Sequence, residues 1–384
     1  VVLEKRKTIL GEDHPDTLIA MGNLARTYHR LDRLQEAQEL QNIVLQKRKI
    51  VLGEDHPETL IAMGNLATTY HHLGRLQEAQ ELQSAVFEMR KTRKTILGED
   101  HPDILHVVGN LAQTYRDLGR LQEAEVLQSV AFEKQKTILG QDHPHTLIAM
   151  GHLAVTYFGL GRLQEAEALQ SVVFKKEKVI CGEDHPDTLI AMGHLATTYN
   201  GLGRLQEAGA LQRVVFEKRK TILGEDHPHT LNAMGNLAKT YYQLSQLQEA
   251  EALQSVVFQK RKPILGEDHP HTLIAMSNLA NTYYQLGRMQ EAEALESVVL
   301  EKQKTTLGED HLHTLIAMGN LGQTYCGLGR LQEAEVLQSV VLQKRKTILR
   351  EDHPHTLIAM RNLAEIYHRL GRIEEAEFLR QRQS

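Results

Sequence analysis

Apolar residues recur along the chain in two short patterns that alternate from end to end. In residues 60–73, LIAMGNLATTYHHL, they stand at the first, fourth, seventh, eighth, eleventh and fourteenth positions. This spacing follows the turn of an α-helix and places one apolar stripe on one face. The next stretch, LQEAQELQSAVF, carries a second stripe of Ala79, Leu82 and Val86 between glutamine and glutamate. Gly74 lies between the patterns and predicts the end of the first helix. The pattern predicts a pair of amphipathic helices.

This helix pair is one copy of a repeated unit. The phrase G-[EQ]-D-H-P begins at Gly11, Gly53, Gly98, Gly140, Gly182, Gly224 and Gly266, and it returns as GEDHL at Gly308 and as REDHP at Arg350. The interval is 42 residues except between Gly53 and Gly98, where RKT is written twice and the interval is 45. Glycine predicts the end of one helix, and proline suits the first turn of the next. We expect Asp55 and His56 to cap that helix.

A single helix pair cannot bury its own stripe, so the units are predicted to stack into an all-α solenoid. Counted from the leucine after each loop, first helices are expected to start near 18, 60, 105, 147, 189, 231, 273, 315 and 357. Residues 1–384 then form a single array. Residues 1–17 are expected to end a truncated preceding repeat. Residues 361–384, with Arg361, Glu365 and Glu374, are expected to form a polar C-terminal capping repeat.

The order of small and large residues resembles that of the tetratricopeptide repeat. Leu66-Ala67-x-x-Tyr70, followed by Gly74 and Ala79, carries this resemblance. The 42-residue period and the loop resemble the kinesin light chain type in particular, which is also found C-terminally in fungal and bacterial signalling NTPases. The resemblance implies a right-handed superhelical solenoid of helix-turn-helix repeats whose first helices line a concave groove. Because this fold is a general scaffold, it does not by itself define a function.

Bulk composition narrows the class of protein. The 384 residues carry a formal charge of −5, which makes sequence-independent nucleic-acid binding an unfavoured function. No apolar run reaches the ~20 residues needed to span a bilayer, and VVLEKRK has no signal-peptide character. Two cysteines, Cys181 and Cys326, exclude a disulfide framework. We expect a cytoplasmic protein with no membrane insertion and no nucleic-acid partner.

Three positions of the first helix differ most between units, whereas Tyr occupies position 11 in all nine. Positions 9, 12 and 13 share one helix face. They include the candidate groove residues Arg26 and Lys239 at position 9, and His29, His71, Arg116, Tyr242 and Tyr284 at position 12. We interpret this face as a partner-binding surface. The alternative is that any exposed face drifts, but the exposed RLQEAE of the second helix changes far less.

Position 6 is more constant and polar. It holds Asn23, Asn65, Asn110, Asn236, Asn278, Asn320 and Asn362, with His152 and His194 in the other two units. An asparagine amide offers a donor and an acceptor, so it can pair with the backbone of an extended peptide. The kinesin light chain resemblance implies such an Asn ladder. The alternative is that each amide bonds the neighbouring repeat.

Position 5 is glycine in seven units: Gly22, Gly64, Gly109, Gly151, Gly193, Gly235 and Gly319. A glycine within a helix costs ~1 kcal/mol relative to alanine. We expect close packing between adjacent first helices to be the reason, which is compatible with close approach of a ligand backbone. Other departures predict weak points: Leu312 for proline, Arg350 and Ser245 for glycine, Gly209 inside a second helix, and the duplicated RKT.

The chemical character of the groove is expected to change along its length. Arg26, His29, His71 and Arg116 make a basic end, and Tyr242 and Tyr284 make an aromatic shelf. Isoleucine at position 2, as in Ile61, adds an apolar floor. The predicted ligand is an extended segment that mixes acidic with aromatic or aliphatic residues.

Catalytic chemistry is not indicated. The chain has 21 histidines, but each D-H-P-H loop lies on a different repeat, too far apart for one metal site. No phosphate loop, HExxH or G-x-S-x-G motif occurs. We expect no enzyme activity, metal or cofactor. Cys181 is expected to be buried and Cys326 to lie in the groove.

The leading hypothesis is a non-catalytic interaction scaffold or adaptor that binds extended peptide segments, and membership of a larger complex is compatible with it. One alternative is a sensor or autoinhibitory tail of a signalling NTPase whose catalytic part lies upstream. Another is a structural array that self-associates through its ends.

Overall fold

The computed structural model describes residues 2–31, 33–92 and 102–382. Its helices are α1 (Val2–Leu10), α2 (Pro15–Arg30), α3 (Leu34–Leu52), α4 (Pro57–His72), α5 (Leu76–Thr92), α6 (Pro102–Asp117), α7 (Leu121–Leu139), α8 (Pro144–Gly159), α9 (Leu163–Cys181), α10 (Pro186–Gly201), α11 (Leu205–Leu223), α12 (Pro228–Gln243), α13 (Leu247–Leu265), α14 (Pro270–Gln285), α15 (Met289–Leu307), α16 (Leu312–Gly327), α17 (Leu331–Leu349), α18 (Pro354–Arg369) and α19 (Ile373–Gln381). Repeat 1 is the pair α2 and α3, and repeat 9 is the pair α18 and α19.

The chain divides into two compact units, Val1–Leu202 and Gly203–Ser384. Within each unit, every helix packs against the helix before it and the helix after it, and first helices also touch the first helix of the next repeat. The described residues contain no strand. The all-α solenoid predicted from the sequence is confirmed. First helices begin at residue 15 and its equivalents, three residues before the expected leucine.

Small residues bring the helices close together. The alanine of LQEA, which reads MQEA in repeat 7 and IEEA in repeat 9, has no exposed surface in any repeat: Ala37, Ala79, Ala124, Ala166, Ala208, Ala250, Ala292, Ala334 and Ala376. Larger apolar residues fill the space around them, as Leu147, Met150, Leu153 and Val173 do in repeat 4. Interiors packed this closely tolerate little change in volume. The two stripes predicted from the sequence are therefore the core.

The loop between repeats ends one helix and begins the next. Its glycine has a positive φ, 92° at Gly53, and lies directly after the second helix. Its proline is the first residue of the next helix, where a missing N–H costs little. The histidine is the cap: His56 Nδ1 accepts a hydrogen bond from the Glu58 N–H at 3.2 Å. The same contact occurs at His14, His143, His185, His227, His269, His311 and His353.

The acidic loop residues form ion pairs instead of caps. Asp226 Oδ1 lies 2.6 Å from Lys260 Nζ, which belongs to α13, the second helix of the repeat that follows this loop. Glu267 Oε1 lies 2.6 Å from Lys262 Nζ, five residues earlier. The expectation that Asp55 shares the capping role is wrong, because the side-chain cap of α4 comes from His56. The equivalent Asp226 instead reaches a lysine 34 residues away. Exposed pairs of this kind add little stability individually.

A buried glutamine joins consecutive repeats. The Thr156 hydroxyl donates to Gln128 Oε1 at 2.5 Å, and the Thr282 hydroxyl donates to Gln254 Oε1 at 2.6 Å. Repeat 7 has Glu296 at this position, only 4% exposed, with one carboxyl oxygen that makes no hydrogen bond. Burial raises the pKa of Glu296 to about 7, with a smaller contribution from the nearby charge of Glu293.

Two of the expected weak points carry backbone strain. Ser245 and Arg350 are the non-glycine residues with positive φ in the described part of the chain, at 59° and 82°.

Cys181 was expected to be buried, but it is exposed. It is the last residue of α9, and the equivalent Leu52 and Leu139 are also more than a third exposed. The 45-residue interval and its loop at Gly98 lie largely outside the described residues, so its effect on stacking stays a prediction.

Arg350→Gly should stabilise the protein by about 1 kcal/mol or more, because φ 82° with ψ 166° is a conformation that almost only glycine adopts. Ser245→Gly should give a smaller gain. Urea unfolding measures both effects. The reciprocal Gly308→Arg should cost a comparable amount, and an unchanged midpoint in Arg350→Gly would contradict the assignment of strain.

Glu296→Gln should make stability less sensitive to pH. A carboxyl group whose pKa is raised from 4.5 to about 7 supports folding fully below pH 4.5 and loses that contribution as the pH rises through 7. The variant should therefore be more stable at pH 8, by up to about 3 kcal/mol, and the advantage should shrink towards pH 4.5. Urea unfolding at pH 5 and pH 8 checks this. Gln254→Glu should introduce the same dependence, and an equal gain at both pH values would contradict the prediction.

Candidate functional site

Each first helix exposes one face formed by positions 2, 5, 6 and 9, which we call the first-helix face. At position 6, Asn23, Asn65, His152 and His194 are exposed and Asn110 is half-buried in the first unit. In the second unit, Asn236 and Asn278 are exposed, and Asn320 and Asn362 are half-buried. At position 2, the isoleucines are 39–49% exposed: Ile19, Ile61, Ile148, Ile190, Ile274, Ile316 and Ile358. Apolar and amide groups therefore lie side by side.

Most of the Asn amides at position 6 make no hydrogen bond to the residues that the structure describes. In the described part of the chain, five side chains make no hydrogen bond: Asn65, Asn110, Asn236, Asn278 and Asn362. Asn23 accepts a hydrogen bond from Arg26 of its own helix. Asn320 Nδ2 reaches Asn281 Oδ1 of the preceding repeat at 3.4 Å. Bonding between repeats, the structural alternative for the ladder, is thus seen at Asn320 and not at those five.

The glycines at position 5 leave room for a side chain, although Gly319 is itself buried and its carbonyl oxygen accepts a hydrogen bond from Gln338 Nε2 at 2.6 Å. A Cβ atom built on any of the seven has no neighbouring heavy atom within 4 Å outside the local helix backbone. The expectation that close packing of first helices explains them is therefore wrong. Instead, the absence of a side chain leaves open helix surface beside the Asn amide. Ser277 and Arg361 occupy the same position in repeats 7 and 9.

His152 is chemically close to the asparagines that it replaces. Its crowded surroundings and, second, the charge of Arg116 lower the pKa of His152 below its ordinary value. The ring is then neutral at pH 7 and offers one donor and one acceptor, as an amide group does.

The basic end of the first unit surrounds a cavity of about 170 Å³ between repeats 1 and 2. Arg26, His29, Gln41, Arg48 and Asn65 are among the residues that line it. Arg48 is already paired, since its Nη2 lies 2.9 Å from Glu58 Oε2. Arg26 and His29 remain as groups that could meet an anion. Lys239 is exposed and makes no ion pair within the described residues.

Other candidate residues are used partly inside the protein. The His71 Nε2 and Asp117 Oδ2 atoms are 2.7 Å apart, and Arg116 donates to Gln113. Burial raises the pKa of Tyr284 and lowers that of Arg116. Tyr242 is half-buried like Tyr284. Cys326, expected in the groove, is 8% exposed.

The constancy of RLQEAE has a structural cause. The Arg162 guanidinium stacks over the Tyr157 ring at 4.1 Å, while Nη1 lies 2.6 Å from Glu125 Oε1 of the preceding repeat. Arg288, Arg330 and Arg372 make the same contacts with their own tyrosine and the preceding glutamate. RLQEAE is therefore not a freely drifting surface, and it cannot serve as the standard against which positions 9, 12 and 13 are judged variable.

No group of three or more His, Cys, Asp or Glu side chains among the described residues could hold a metal ion. In the same part of the chain, no helix has the length and apolar character to cross a membrane.

Comparison with protein families decides the classification. A tetratricopeptide repeat model matches residues 2–49, 28–92, 103–173 and 187–262, and two further models of that description match 272–313, 314–355 and 357–378. The chain belongs to the tetratricopeptide repeat family. A search of curated proteins found no similar sequence.

Solved structures resemble this tetratricopeptide array to different extents. A kinesin light chain-like protein of Podosopora anserina with nearly identical repeats is 31% identical, covering 54% of this chain and 99% of its own, with a TM-score of 0.48. A STAND signal-transduction ATPase of Pyrococcus horikoshii with a tetratricopeptide repeat sensor is 13% identical, covering 91% and 53%, with a TM-score of 0.58. A Rap protein complexed with Competence and Sporulation Factor is 12% identical, covering 96% of each chain, with a TM-score of 0.62. The last two show the fold alone.

Gly64→Ala and Gly235→Ala should each stabilise the array by up to about 1 kcal/mol, because alanine is the better helix former and its Cβ meets open space. Gly322→Ala is the matched control, since its Cβ would lie 3.0 Å from Gln338 Nε2. Thermal unfolding should show gains for the first two and none for the third. A loss of stability in Gly64→Ala would reinstate packing as the reason for this glycine.

Proposed function

We propose that this tetratricopeptide array is a non-catalytic scaffold that binds extended segments of partner proteins along its first-helix faces. The observation that carries the proposal is an open glycine at position 5 beside an Asn amide at position 6 that makes no hydrogen bond to the described residues, which occurs in repeats 2, 3 and 6. Glycine inside a helix lowers stability, and here no packing contact compensates for it. Close approach of a ligand backbone would use both the missing side chain and the free amide.

The chemistry of the face suggests the kind of segment. An amide can accept from and donate to a main chain whatever its side chains are. Exposed isoleucines at position 2 would contact aliphatic or aromatic side chains. Arg26 and Lys239, both at position 9, would attract acidic ones. The ligand is therefore a mixed acidic and apolar segment, and the expected location is the cytoplasm.

Fold neighbours are compatible with this role. The Rap protein of the same fold was solved in complex with a factor, and the STAND ATPase carries its tetratricopeptide repeats as a sensor. A sensor or autoinhibitory domain of a signalling NTPase is the alternative function. It would use the same face, with the bound segment supplied by a signal or by the NTPase itself.

The proposal is tested by peptide display on the folded array, followed by affinity measurements on the selected peptides. Asn236→Ala combined with Asn278→Ala removes two free amides in adjacent repeats of one unit. We expect this variant to lose at least tenfold in affinity while its helical content stays unchanged. The matched control is Gln248→Ala with Gln290→Ala, two exposed residues on the second helices of the same repeats.

Gly235→Ala separates binding from folding, because it is expected to stabilise the helix while it obstructs the face. Weaker binding by this more stable protein would support the proposal. Selected peptides that bind all variants equally, or a selection that yields no peptide, would overturn it.

A further inference from the structure

At five joints between consecutive repeats, the ends of the two first helices meet through the same pair of positions. Position 12 of one repeat faces position 13 of the following repeat. Both positions vary strongly when each is compared separately along the chain. At these joints, however, the two variable residues contact each other across the boundary between repeats.

Three such joints lie in the first unit. The rings of His29 and His72 meet edge to face, with centroids 4.8 Å apart. The next joint pairs His71 Nε2 with Asp117 Oδ2 at 2.7 Å. Between repeats 4 and 5, Phe158 lies against Gly201, where a Cβ would be only 3.1 Å from the Phe158 ring.

The second unit contains two more. Tyr284 lies over Gly327, where a Cβ would be 3.6 Å from its ring. The Arg369 guanidinium reaches Cys326 of the preceding repeat, with Nη1 2.6 Å from the carbonyl oxygen and 2.9 Å from Sγ.

The partners at each joint complement one another, and the chemistry changes from joint to joint. A large ring faces glycine at two joints, an imidazole faces a carboxylate at another, and a thiol faces a guanidinium at the last. The core contacts do not differ in this way, because Tyr at position 11 and the buried alanine of LQEA are the same in every repeat. The constant tyrosine and alanine therefore do not distinguish one neighbouring repeat from another.

We propose that the surface formed by positions 12 and 13 makes these five joints specific for their own neighbours and so helps to fix the order of nearly identical repeats within each unit. The fitting partner of this surface is one particular adjacent repeat of the same chain. A slipped or exchanged pairing would place a ring against a charged group or a glycine against a small residue. This inference does not depend on the proposed function, which uses positions 2, 5, 6 and 9.

Transplanting one joint's pair into another joint tests the proposal. His71→Phe and Asp117→Gly together rebuild the Phe158–Gly201 pair between repeats 2 and 3. Each single change should lower the melting temperature of the full chain, by leaving Asp117 facing a ring or His71 facing no acceptor. The double variant should recover at least half of the summed loss. Asp117 ends its helix as Gly201 does, so the glycine itself introduces little strain.

His29→Phe with Asp117→Gly is the control, because these residues belong to different joints and their effects should add. A second cycle in the other unit uses Cys326→Tyr with Arg369→Gly, which rebuilds the Tyr284–Gly327 pair. Recovery confined to the facing pairs would support the proposal. Additive losses in the facing pairs, or equal recovery in the control, would overturn it.

Discussion

The structure depends on an alanine in each second helix that has no contact with solvent. Its small side chain lets the two helices of a repeat and the first helix of the next repeat approach closely, and the larger leucine, methionine and valine side chains then fill the space around it. Because a single helix pair has no other way to bury its apolar stripe, every repeat requires a neighbour. The loops, helix caps and ion pairs add to the stability of this stacked arrangement, which the burial of the alanine already requires.

Polar contacts then join consecutive repeats at three levels. At the start of the second helix, an arginine stacks on its tyrosine and reaches back to a glutamate. In the interior, a glutamine accepts a hydrogen bond from a threonine. At the ends of the first helices, positions 12 and 13 meet. The arginine–glutamate contact is missing between repeats 5 and 6, because Gly209 stands in place of the glutamate and Gln246 in place of the arginine. There Arg213 Nη2 donates to the Tyr241 hydroxyl at 2.8 Å instead.

The sequence was sufficient for whatever is local and periodic. The helix pairs, their stripes and the glycine that ends each helix follow from spacing and backbone freedom alone. It was insufficient where two residue types can perform one task or where contacts cross between repeats. Aspartate and histidine can both cap a helix, and only the position of Lys260 shows why Asp226 does not. Likewise, the sequence cannot distinguish a glycine at position 5 that is packed against a neighbouring helix from one that faces open space.

The linked variation at the joints changes how diversity in a repeat array should be interpreted. Variable residues on one face are usually attributed to partner selection, and His71 and Tyr284 fit that interpretation when each repeat is aligned on itself. When position 12 is instead compared with position 13 of the next repeat, His71 is seen to contact Asp117, and Tyr284 to lie against Gly327. A side chain that must match its neighbour is less free to adapt to a ligand. Ligand contact is therefore better sought at Asn65, Asn236 and Asn278, whose amides make no hydrogen bond to the residues that the structure describes.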